Sequence, residues 1–183
     1  KKETLLPTQI LVEFLETNQI THTCFPPSVL SVLPQAQLSH LENIAVGGEA
    51  CSAEVIEKWG NQRQFFNCYG PTETTVVATL SLCQANGQKP NIGKPLDNVC
   101  AYILDGNQQI LPPGIPGELC IAGVCLARGY WNRPDLTSEK FIEVNLLGKT
   151  ERIYKTGDLA KWGDDGNLEF LGRIDQQVKL RGF

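Results

Sequence analysis

The sequence predicts an α/β protein in which a parallel sheet is followed by a smaller antiparallel, barrel-like part. Up to about residue 84, short apolar runs typical of buried strands alternate with segments that have the spacing of helices. From about residue 85, short strand-like runs are separated by closely spaced turn signals. Strand–helix–strand order favours parallel strands joined by crossover helices, whereas closely spaced turns favour hairpins.

The first part, residues 1–84, is expected to contain three strands and three helices. Thr8 and Asn18 can begin and end the first helix. Two prolines before Ser28 can open the second, and Ser52 can cap a third that runs to Trp59. The apolar face of the first helix is expected to hold Ile10, Leu11, Phe14 and Leu15, and the expected strands are residues 20–25, 41–46 and 64–69.

The second part, residues 85–174, is expected to be rich in hairpins. Its turn signals include Asn86-Gly87, Asp105-Gly106, Pro112-Pro113-Gly114, Thr156-Gly157-Asp158 and Asp164-Asp165-Gly166. Between them lie runs that suit short strands, including residues 99–104, 118–122, 152–155 and 168–171. Pro134 lies near the start of one expected helix.

Composition narrows the class of protein. The chain has 183 residues, 42% of them hydrophobic and 20% charged, which is typical of a soluble globular protein. A net charge of −4 disfavours nonspecific binding to nucleic acid, and no apolar run is long enough to span a membrane. The seven cysteines contain no Cys-x-x-Cys pair, so we expect reduced thiols in a cytoplasmic protein rather than a disulfide scaffold or a zinc site.

Residues 67–75 contain side chains suited to phosphate chemistry. A predicted strand ends in Gly70-Pro71 and is followed by Thr72 and Glu73. A turn after a parallel strand exposes backbone N–H groups that suit a phosphate, Thr72 can donate its hydroxyl, and Glu73 is a hard oxygen ligand suited to magnesium. An ordinary turn with a helix cap explains the same residues, and composition alone slightly favours it.

Three further segments are weak evidence of function when each is taken alone. Asp158, at an expected tight turn between two strands, can accept hydrogen bonds from both hydroxyls of a ribose, although a turn aspartate more commonly bonds its own backbone. Residues 172–182 have the pattern of a strand with a solvated basic face. Residues 117–131 have the pattern of a structural hairpin and corner whose glycines permit close backbone approach.

Together, the order and spelling of these segments resemble the consecutive core motifs of nonribosomal peptide synthetase adenylation domains, which belong to the adenylate-forming superfamily. The resemblance is carried by residues 67–73, 117–131, 154–162 and 172–182, and it extends over nearly the whole chain. Residues 127–131 and 137–141 have the sequence typical of amino-acid-activating members of the superfamily rather than of its CoA ligases. The resemblance implies a fragment of the large N-terminal domain of such an enzyme, with residues 175–183 as a hinge and the start of a further subdomain.

The resemblance implies a two-step reaction. An amino acid or related carboxylic acid is joined to ATP as an acyl-adenylate, and the acyl group passes to the phosphopantetheine thiol of a peptidyl carrier domain. Thr72 would contact the α-phosphate, Glu73 would hold Mg²⁺, and Lys179 would enter the site for thiolation. The other nucleotide contacts would be Gly48, Glu49, Asn67, Tyr69, Asp158, Phe170 and Arg173, and Asp175 would be the hinge.

The resemblance also implies part of the pocket for the acid. The positions that set specificity map onto Cys24, Ala45, Gly47, Cys68, Val76 and Val77. All are small or apolar and none is charged, so an apolar or aromatic acid is expected, with Gly47 leaving room for a ring. Ordinary core packing is the alternative explanation, in particular for Ala45.

Other parts of the family's active site are expected outside this chain. The glycine-rich phosphate loop and the aspartate that holds the substrate amine would lie upstream, and the catalytic lysine would lie beyond Phe183. The chain alone is therefore expected to adenylate poorly, since removing one charge-stabilising donor typically costs ~10²–10³ in rate. Two alternatives stay open: a free-standing acyl-CoA or aryl-acid ligase, and an inactive nucleotide-binding scaffold.

Overall fold

The computed structural model describes residues 6–174, and this part of the chain forms two compact units. The first contains residues 6–68 and 81–90, and the second contains residues 69–80 and 91–174. Two strands, Gln64–Tyr69 and Thr79–Cys83, have residues in both units. The division of the sequence at residues 84 and 85 stays a prediction. Within residues 6–174, every helix is too short or too polar to cross a membrane.

The first unit alternates helices and strands. Its elements are α1 (Gln9–Thr17), β1 (His22–Phe25), α2 (Pro27–Val32), β2 (Asn43–Val46), α3 (Ala53–Trp59) and β3 (Gln64–Tyr69), followed by the end of β4 (Thr79–Cys83). Strands β1, β2 and β3 are parallel neighbours, with Thr23 opposite Ile44 and Ile44 opposite Phe65. Helices α2 and α3 provide the crossovers that parallel neighbours require.

Strand alternation divides this sheet into two faces. Ile44, Val46 and Phe65 point to one face, where they are fully buried in a hydrophobic core with residues of the helices. Successive side chains of a strand point in opposite directions. Cys24 and Ala45, which are paired in register, therefore lie on the face away from that core.

Helix α1 packs on the core with a different stripe from the predicted one. Its buried residues are Leu11, Val12 and Leu15, whereas Ile10 and Phe14 are 56% and 40% exposed. The two apolar stripes are neighbours on the helix surface, so hydrophobic spacing does not choose between them. The predicted face was therefore wrong at Ile10 and Phe14, because packing of the unit selects the stripe that contains Leu11 and Leu15.

The ends of the helices lie close to their predicted positions. Thr8 and Ser52 occupy the N-cap positions of α1 and α3, but neither side chain makes a capping hydrogen bond in the described chain. Asn18 ends α1, and its side-chain amide donates to the Phe14 carbonyl at 2.8 Å. The presence of Thr or Ser before a helical segment thus predicts where the helix begins, but it does not predict a capping hydrogen bond from that side chain.

The second unit is mostly antiparallel sheet. After the first residues of β4, its elements are β5 (Lys94–Pro95), β6 (Val99–Leu104), β7 (Gly117–Gly123), α4 (Pro134–Lys140), β8 (Phe141–Leu146), β9 (Lys149–Trp162) and β10 (Leu168–Arg173). Four strands are hydrogen-bonded in the order β10-β9-β7-β6, and β8 pairs with the first part of β9. The predicted fold class is confirmed, and the described strands leave this sheet open rather than closed into a barrel.

Strand β7 is buried on both faces and organises the second unit. Leu119 and Ile121 lie in one hydrophobic cluster, and Cys120 and Ala122 lie in another. Because neighbouring positions of a strand face opposite ways, β7 separates the two clusters. Burial raises the pKa of the Cys120 thiol to about 12, so this cysteine is a neutral packing residue.

The chain reverses tightly after β3. The Ala78 N–H donates to the Tyr69 carbonyl at 2.8 Å, which closes a loop over residues 70–77. A Cβ atom at position 70 would lie 2.5 Å from the Val76 carbonyl oxygen and 2.8 Å from the Ala78 nitrogen. Position 70 requires glycine because the loop backbone approaches it more closely than a side chain allows.

We expect the Gly70→Ala variant to lose about 1–3 kcal/mol of unfolding free energy, since the added carbon forces the loop apart. The Gly106→Ala variant is the matched control, because a Cβ atom there meets nothing within 4 Å. Urea unfolding of both variants, in the protein that contains this chain, measures the difference. Equal unfolding midpoints for the two alanine variants would contradict the close approach at Gly70.

Candidate functional site

The loop after β3 contains unusual backbone geometry. Thr72–Thr74 form one 3₁₀ turn, and Thr75 and Val76 follow it with φ angles of 56° and 72°. Positive φ is strained for a β-branched residue and costs of order 1–3 kcal/mol. Val76 is 73% exposed, so burial of its side chain offsets little of this cost. Strained residues of this kind cluster at binding and catalytic sites.

Two of the predicted phosphate and metal residues lie on this turn. Thr72 is exposed, which makes its hydroxyl accessible to a ligand. Glu73 is partly buried, and its Oε1 atom accepts a hydrogen bond from the Tyr130 hydroxyl at 2.5 Å. Thr74 is fully buried and donates to the Pro71 carbonyl at 3.0 Å. Thr74 therefore anchors the turn from within, while Thr72 stays available.

Two tyrosines next to Glu73 were missed by the sequence reasoning. The Tyr130 and Tyr154 hydroxyl oxygens are 3.4 Å apart. Burial and the hydrogen bond to Glu73 raise the pKa of Tyr130 to about 12, and burial and the Tyr130 hydroxyl raise the pKa of Tyr154 above its ordinary value. Both phenols stay protonated and can donate at neutral pH. The available signal was the aromatic pair Tyr130-Trp131 in a segment interpreted as structural.

Asp158 lies in a bulge of β9 and not in the predicted turn between two strands. Glu118 of β7 is opposite Leu159, and Cys120 is opposite Lys155, so the register of β9 shifts across residues 156–158. Gly157 has a φ of +70°, and a glycine with positive φ occurs in β-bulges as well as in tight turns. The prediction of a turn was therefore wrong, because strand pairing continues on both sides of this glycine.

The Asp158 carboxylate is already engaged by two of the predicted nucleotide residues. It is 2% exposed, Oδ2 accepts from the Tyr69 hydroxyl at 2.5 Å, and Oδ1 accepts from Arg173 Nη1 at 2.9 Å. Burial and the charge of Asp158 raise the pKa of Tyr69 well above its ordinary value, so the phenol is a proton donor. A ribose bound here would share the carboxylate oxygens with Tyr69 and Arg173.

A second bulge, in β10, accounts for the position of Arg173. The register with β9 shifts between Phe170 and Gly172, where Gly172 has a φ of +128°. This shift places Arg173 directly opposite Asp158. The Phe170 ring centroid lies 6.3 Å from that of Tyr69. The structure thus brings Tyr69, Asp158, Phe170 and Arg173 together.

In the first unit, the predicted substrate residues share one face of the sheet. Ala45 is paired with Cys24 on one side and with Phe66 on the other, and Cys68 lies two residues beyond Phe66. A Cβ atom at Gly47 would lie 3.0 Å from the Cys68 carbonyl oxygen and 3.4 Å from its Cβ. Because this face points away from the hydrophobic core of the unit, packing into that core does not account for Ala45.

Three predicted purine contacts lie near the carboxyl ends of β2 and β3. Gly48 has a φ of +81°, and Glu49 Oε2 accepts the Ser28 N–H at 3.1 Å. Asn67 is 5% exposed and, by strand alternation, points to the opposite face from Cys68. Ligands of open α/β sheets usually bind at this edge, outside the carboxyl ends of the strands.

The predicted site residues divide between the two units. Asp175 and Lys179 lie outside the described residues. The first unit holds Cys24, Ala45, Gly47, Gly48, Glu49, Asn67 and Cys68, and the second holds Tyr69, Thr72, Glu73, Val76, Val77, Asp158, Phe170 and Arg173.

The donor set at Glu73 suits one mode of magnesium binding. Between residues 6 and 174, no three His, Cys, Asp or Glu side chains are grouped so as to hold a metal ion. Mg²⁺ usually binds through one or two carboxylates, with nucleotide phosphates and water completing its shell. A single carboxylate such as Glu73 fits that mode, whereas a metal site built entirely from protein ligands would need more donors.

Sequence comparison identifies the family. The family model described as AMP-binding enzyme matches residues 1–131. Bacitracin synthase 3 from Bacillus licheniformis is 51% identical over 183 residues, which cover 100% of this chain and 3% of that protein. Tyrocidine synthase 1 from Brevibacillus parabrevis is 46% identical over 184 residues, which cover 99% of this chain and 17% of that protein. The chain therefore spans only a small part of the length of these relatives.

Comparison with solved structures agrees with the family found by sequence comparison. The structure of PA1221, an NRPS protein containing adenylation and PCP domains, matches with a TM-score of 0.88 and 28% identity, over 97% of this chain and 38% of that one. The family model covers most of the chain, and the matched structure contains the adenylation domain that the sequence motifs resemble. The chain belongs to the AMP-binding enzyme family and corresponds to part of an adenylation domain of the nonribosomal peptide synthetase type.

Proposed function

We propose that the protein containing this chain activates an amino acid, or a related carboxylic acid, as an acyl-adenylate and loads it onto a carrier domain. The observation that carries the proposal is the strained loop after β3, on which Thr72 and Glu73 lie, in a chain of the AMP-binding family. Packing of exposed Val76 does not offset the strain, which supports a functional reason for the loop's shape.

The first half-reaction forms an acid anhydride. An oxygen of the substrate carboxylate attacks the α-phosphorus of ATP, the bond to the bridging oxygen breaks, and pyrophosphate leaves with that electron pair. Negative charge on the phosphate oxygens makes positioning and electrostatic stabilisation the main contributions of the protein. Thr72 would donate its hydroxyl to an α-phosphate oxygen. Glu73 would hold Mg²⁺, which supplies positive charge next to the phosphates.

The nucleoside end of ATP is proposed to bind at the cluster around Asp158. A ribose offers two hydroxyl donors, and each carboxylate oxygen can accept more than one hydrogen bond. The tilted rings of Tyr69 and Phe170 offer an apolar aromatic surface for the adenine. The motif resemblance alone assigns purine contacts to Gly48, Glu49 and Asn67.

The acid is proposed to have an apolar or aromatic side chain. Cys24, Ala45 and Cys68 lie on one uncharged face of the parallel sheet. The motif resemblance also assigns Val76 and Val77 to the acid pocket, and both are apolar. Burial raises the pKa of the Cys68 thiol, with smaller contributions from Cys24 and Cys83, so this thiol is neutral. A charged substrate side chain would have no counter-charge on this face.

The second half-reaction is proposed to transfer the acyl group to a phosphopantetheine thiol. The sulfur attacks the acyl carbon, the bond to the phosphate oxygen breaks, and AMP leaves as the thioester forms. Lys179 would enter the site and Asp175 would act as the hinge for this step, as the motifs imply. The presence of a PCP domain beside the adenylation domain in PA1221 supports a carrier domain as the partner. We place the reaction in the cytoplasm.

The Glu73→Gln variant tests the metal role. Because an amide oxygen is a weaker magnesium ligand, we expect acid-dependent exchange of pyrophosphate into ATP to fall about 10²-fold at limiting Mg²⁺, with partial recovery at high Mg²⁺. Exposed Glu143 of β8 provides the matched control as Glu143→Gln. An unchanged magnesium dependence in the Glu73 variant would remove this residue from the metal site.

The Asp158→Asn variant tests the ribose role and keeps the shape of the side chain. Losing charge-assisted hydrogen bonds worth about 1.5–3 kcal/mol should weaken ATP binding about 10–100-fold. Calorimetric titration of the protein that contains this chain with ATP measures the affinity, and exposed Asp97→Asn is the control. A wild-type ATP affinity for the Asp158 variant would refute the assignment.

Gly47→Ala tests the acid pocket. The new Cβ atom would press on the Cys68 carbonyl at 3.0 Å and narrow the space beside it. We expect kcat/KM for aromatic acids to fall about 10–100-fold relative to small aliphatic acids. The Gly106→Ala variant again serves as the control, because its Cβ meets open space. Unchanged selectivity would show that Gly47 does not line the pocket.

A further inference from the structure

Residues 125–130, here named the strap, contact the loop after β3 at three points. The Ala127 N–H donates to the Glu73 carbonyl at 2.8 Å. The Thr75 hydroxyl donates to the Cys125 carbonyl at 2.7 Å. The Tyr130 hydroxyl donates to Glu73 Oε1 at 2.5 Å. Two of the three contacts are to Glu73, one to its backbone and one to its side chain.

An arginine of β9 holds the backbone of the strap. Arg152 donates from Nη1 to the Ala127 carbonyl at 3.0 Å and from Nη2 to the Arg128 carbonyl at 2.9 Å. Its guanidinium carbon lies 4.6 Å from the centroid of the Phe141 ring. A planar guanidinium group that donates to two carbonyls and also stacks on an aromatic ring has little freedom to move. The strap is therefore fixed by β9 independently of the loop.

The Tyr130 side chain is fixed from several directions. Its backbone N–H donates to the Thr137 hydroxyl of α4 at 2.9 Å. Its ring packs edge-on against Phe141, with centroids 5.8 Å apart. Its hydroxyl oxygen lies 3.4 Å from that of Tyr154, which can donate to it while Tyr130 donates to Glu73. The hydroxyl thus reaches Glu73 from a rigid support.

We propose that Tyr130 is a positioning residue for Glu73: its hydroxyl fixes one oxygen of the carboxylate and leaves the other to a cation bound with the nucleotide phosphates. This inference rests on the proposed function. One hydrogen bond at Oε1 restricts rotation about the last bond of the glutamate side chain, which otherwise has a broad torsional preference. Tyr154 supports the same arrangement through the Tyr130 hydroxyl. Groups that orient a metal ligand in this way typically change metal affinity about 10–100-fold when removed.

The Tyr130→Phe variant tests the proposal, because it keeps the ring that packs on Phe141 and removes only the hydroxyl. Mn²⁺ serves as the probe, and its electron paramagnetic resonance spectrum reports the ion bound to the full protein in the presence of ATP. We expect the half-saturating Mn²⁺ concentration to rise about 10-fold or more. Tyr102→Phe, on β6, should leave it unchanged.

Comparison with Glu73→Gln distinguishes the positioning role of Tyr130 from the metal-binding role of Glu73. Since Tyr130 acts through Glu73, adding Tyr130→Phe to Glu73→Gln should cause no further weakening of Mn²⁺ binding. A wild-type Mn²⁺ affinity in Tyr130→Phe, with a weakened one in Glu73→Gln, would overturn the positioning role and leave the proposed function intact. A wild-type affinity in Glu73→Gln would overturn both the metal role of Glu73 and the inference.

A folding defect is tested separately. Urea unfolding of Tyr130→Phe should resemble that of Tyr102→Phe if the ring contacts are kept. Should Tyr130→Phe fail to fold, Tyr154→Phe provides the test, because it removes a hydroxyl that supports Tyr130 and also interacts with Glu73. We expect a smaller rise in half-saturating Mn²⁺, about 2–5-fold, on the scale of one lost neutral hydrogen bond. An unchanged value in Tyr154→Phe would then overturn the proposal.

Discussion

The return of the backbone to Gly70 is the constraint on which the candidate phosphate loop depends. Because Ala78 bonds to the Tyr69 carbonyl, the chain must reverse within a few residues, and the Val76 carbonyl comes against Gly70. The positive φ angles of Thr75 and Val76 follow from this reversal. Contacts with the strap hold the strained shape, since the exposed side chain of Val76 does not. Such a loop keeps its donors in place before a ligand arrives.

Two carboxylates of the second unit are oriented by tyrosine hydroxyls. Tyr130 donates to Glu73, and Tyr69 donates to Asp158. A neutral donor fixes a carboxylate without neutralising it, so the negative charge stays available to a cation or to hydroxyl donors. The two sites differ in burial and partners, because Asp158 is almost fully buried and also bonds Arg173. Glu73 is therefore the more accessible of the two carboxylates, and Asp158 is the more tightly held.

The sequence was informative about the elements and less so about their irregularities. The alternating helices and strands up to Tyr69 were predicted in the right order, because helical spacing and short apolar runs are local signals. The Thr-Gly-Asp segment was misjudged because a glycine at positive φ serves a turn and a bulge equally. Only the pairing of β7 with β9, which joins residues far apart in sequence, distinguishes the two.

Contacts between residues far apart in sequence also limit what could be predicted about the candidate site. Thr72 and Glu73 could be singled out as candidates from the sequence because they are adjacent and follow a strand end, and their roles stay a prediction. Tyr130 could not be assigned to Glu73, because 57 positions separate the two residues and only the folded strap brings them together. For helix α1, two neighbouring apolar stripes carried equal local signals, and tertiary packing selected one of them.

The most direct test of the account is exchange of radioactive pyrophosphate into ATP by the full-length protein, against a panel of amino, hydroxy, keto and aryl acids. We predict exchange that requires an acid and is fastest with one apolar or aromatic member of the panel. No exchange with any acid, in a protein that binds ATP measurably, would contradict the adenylation reaction and indicate an inactive nucleotide-binding scaffold.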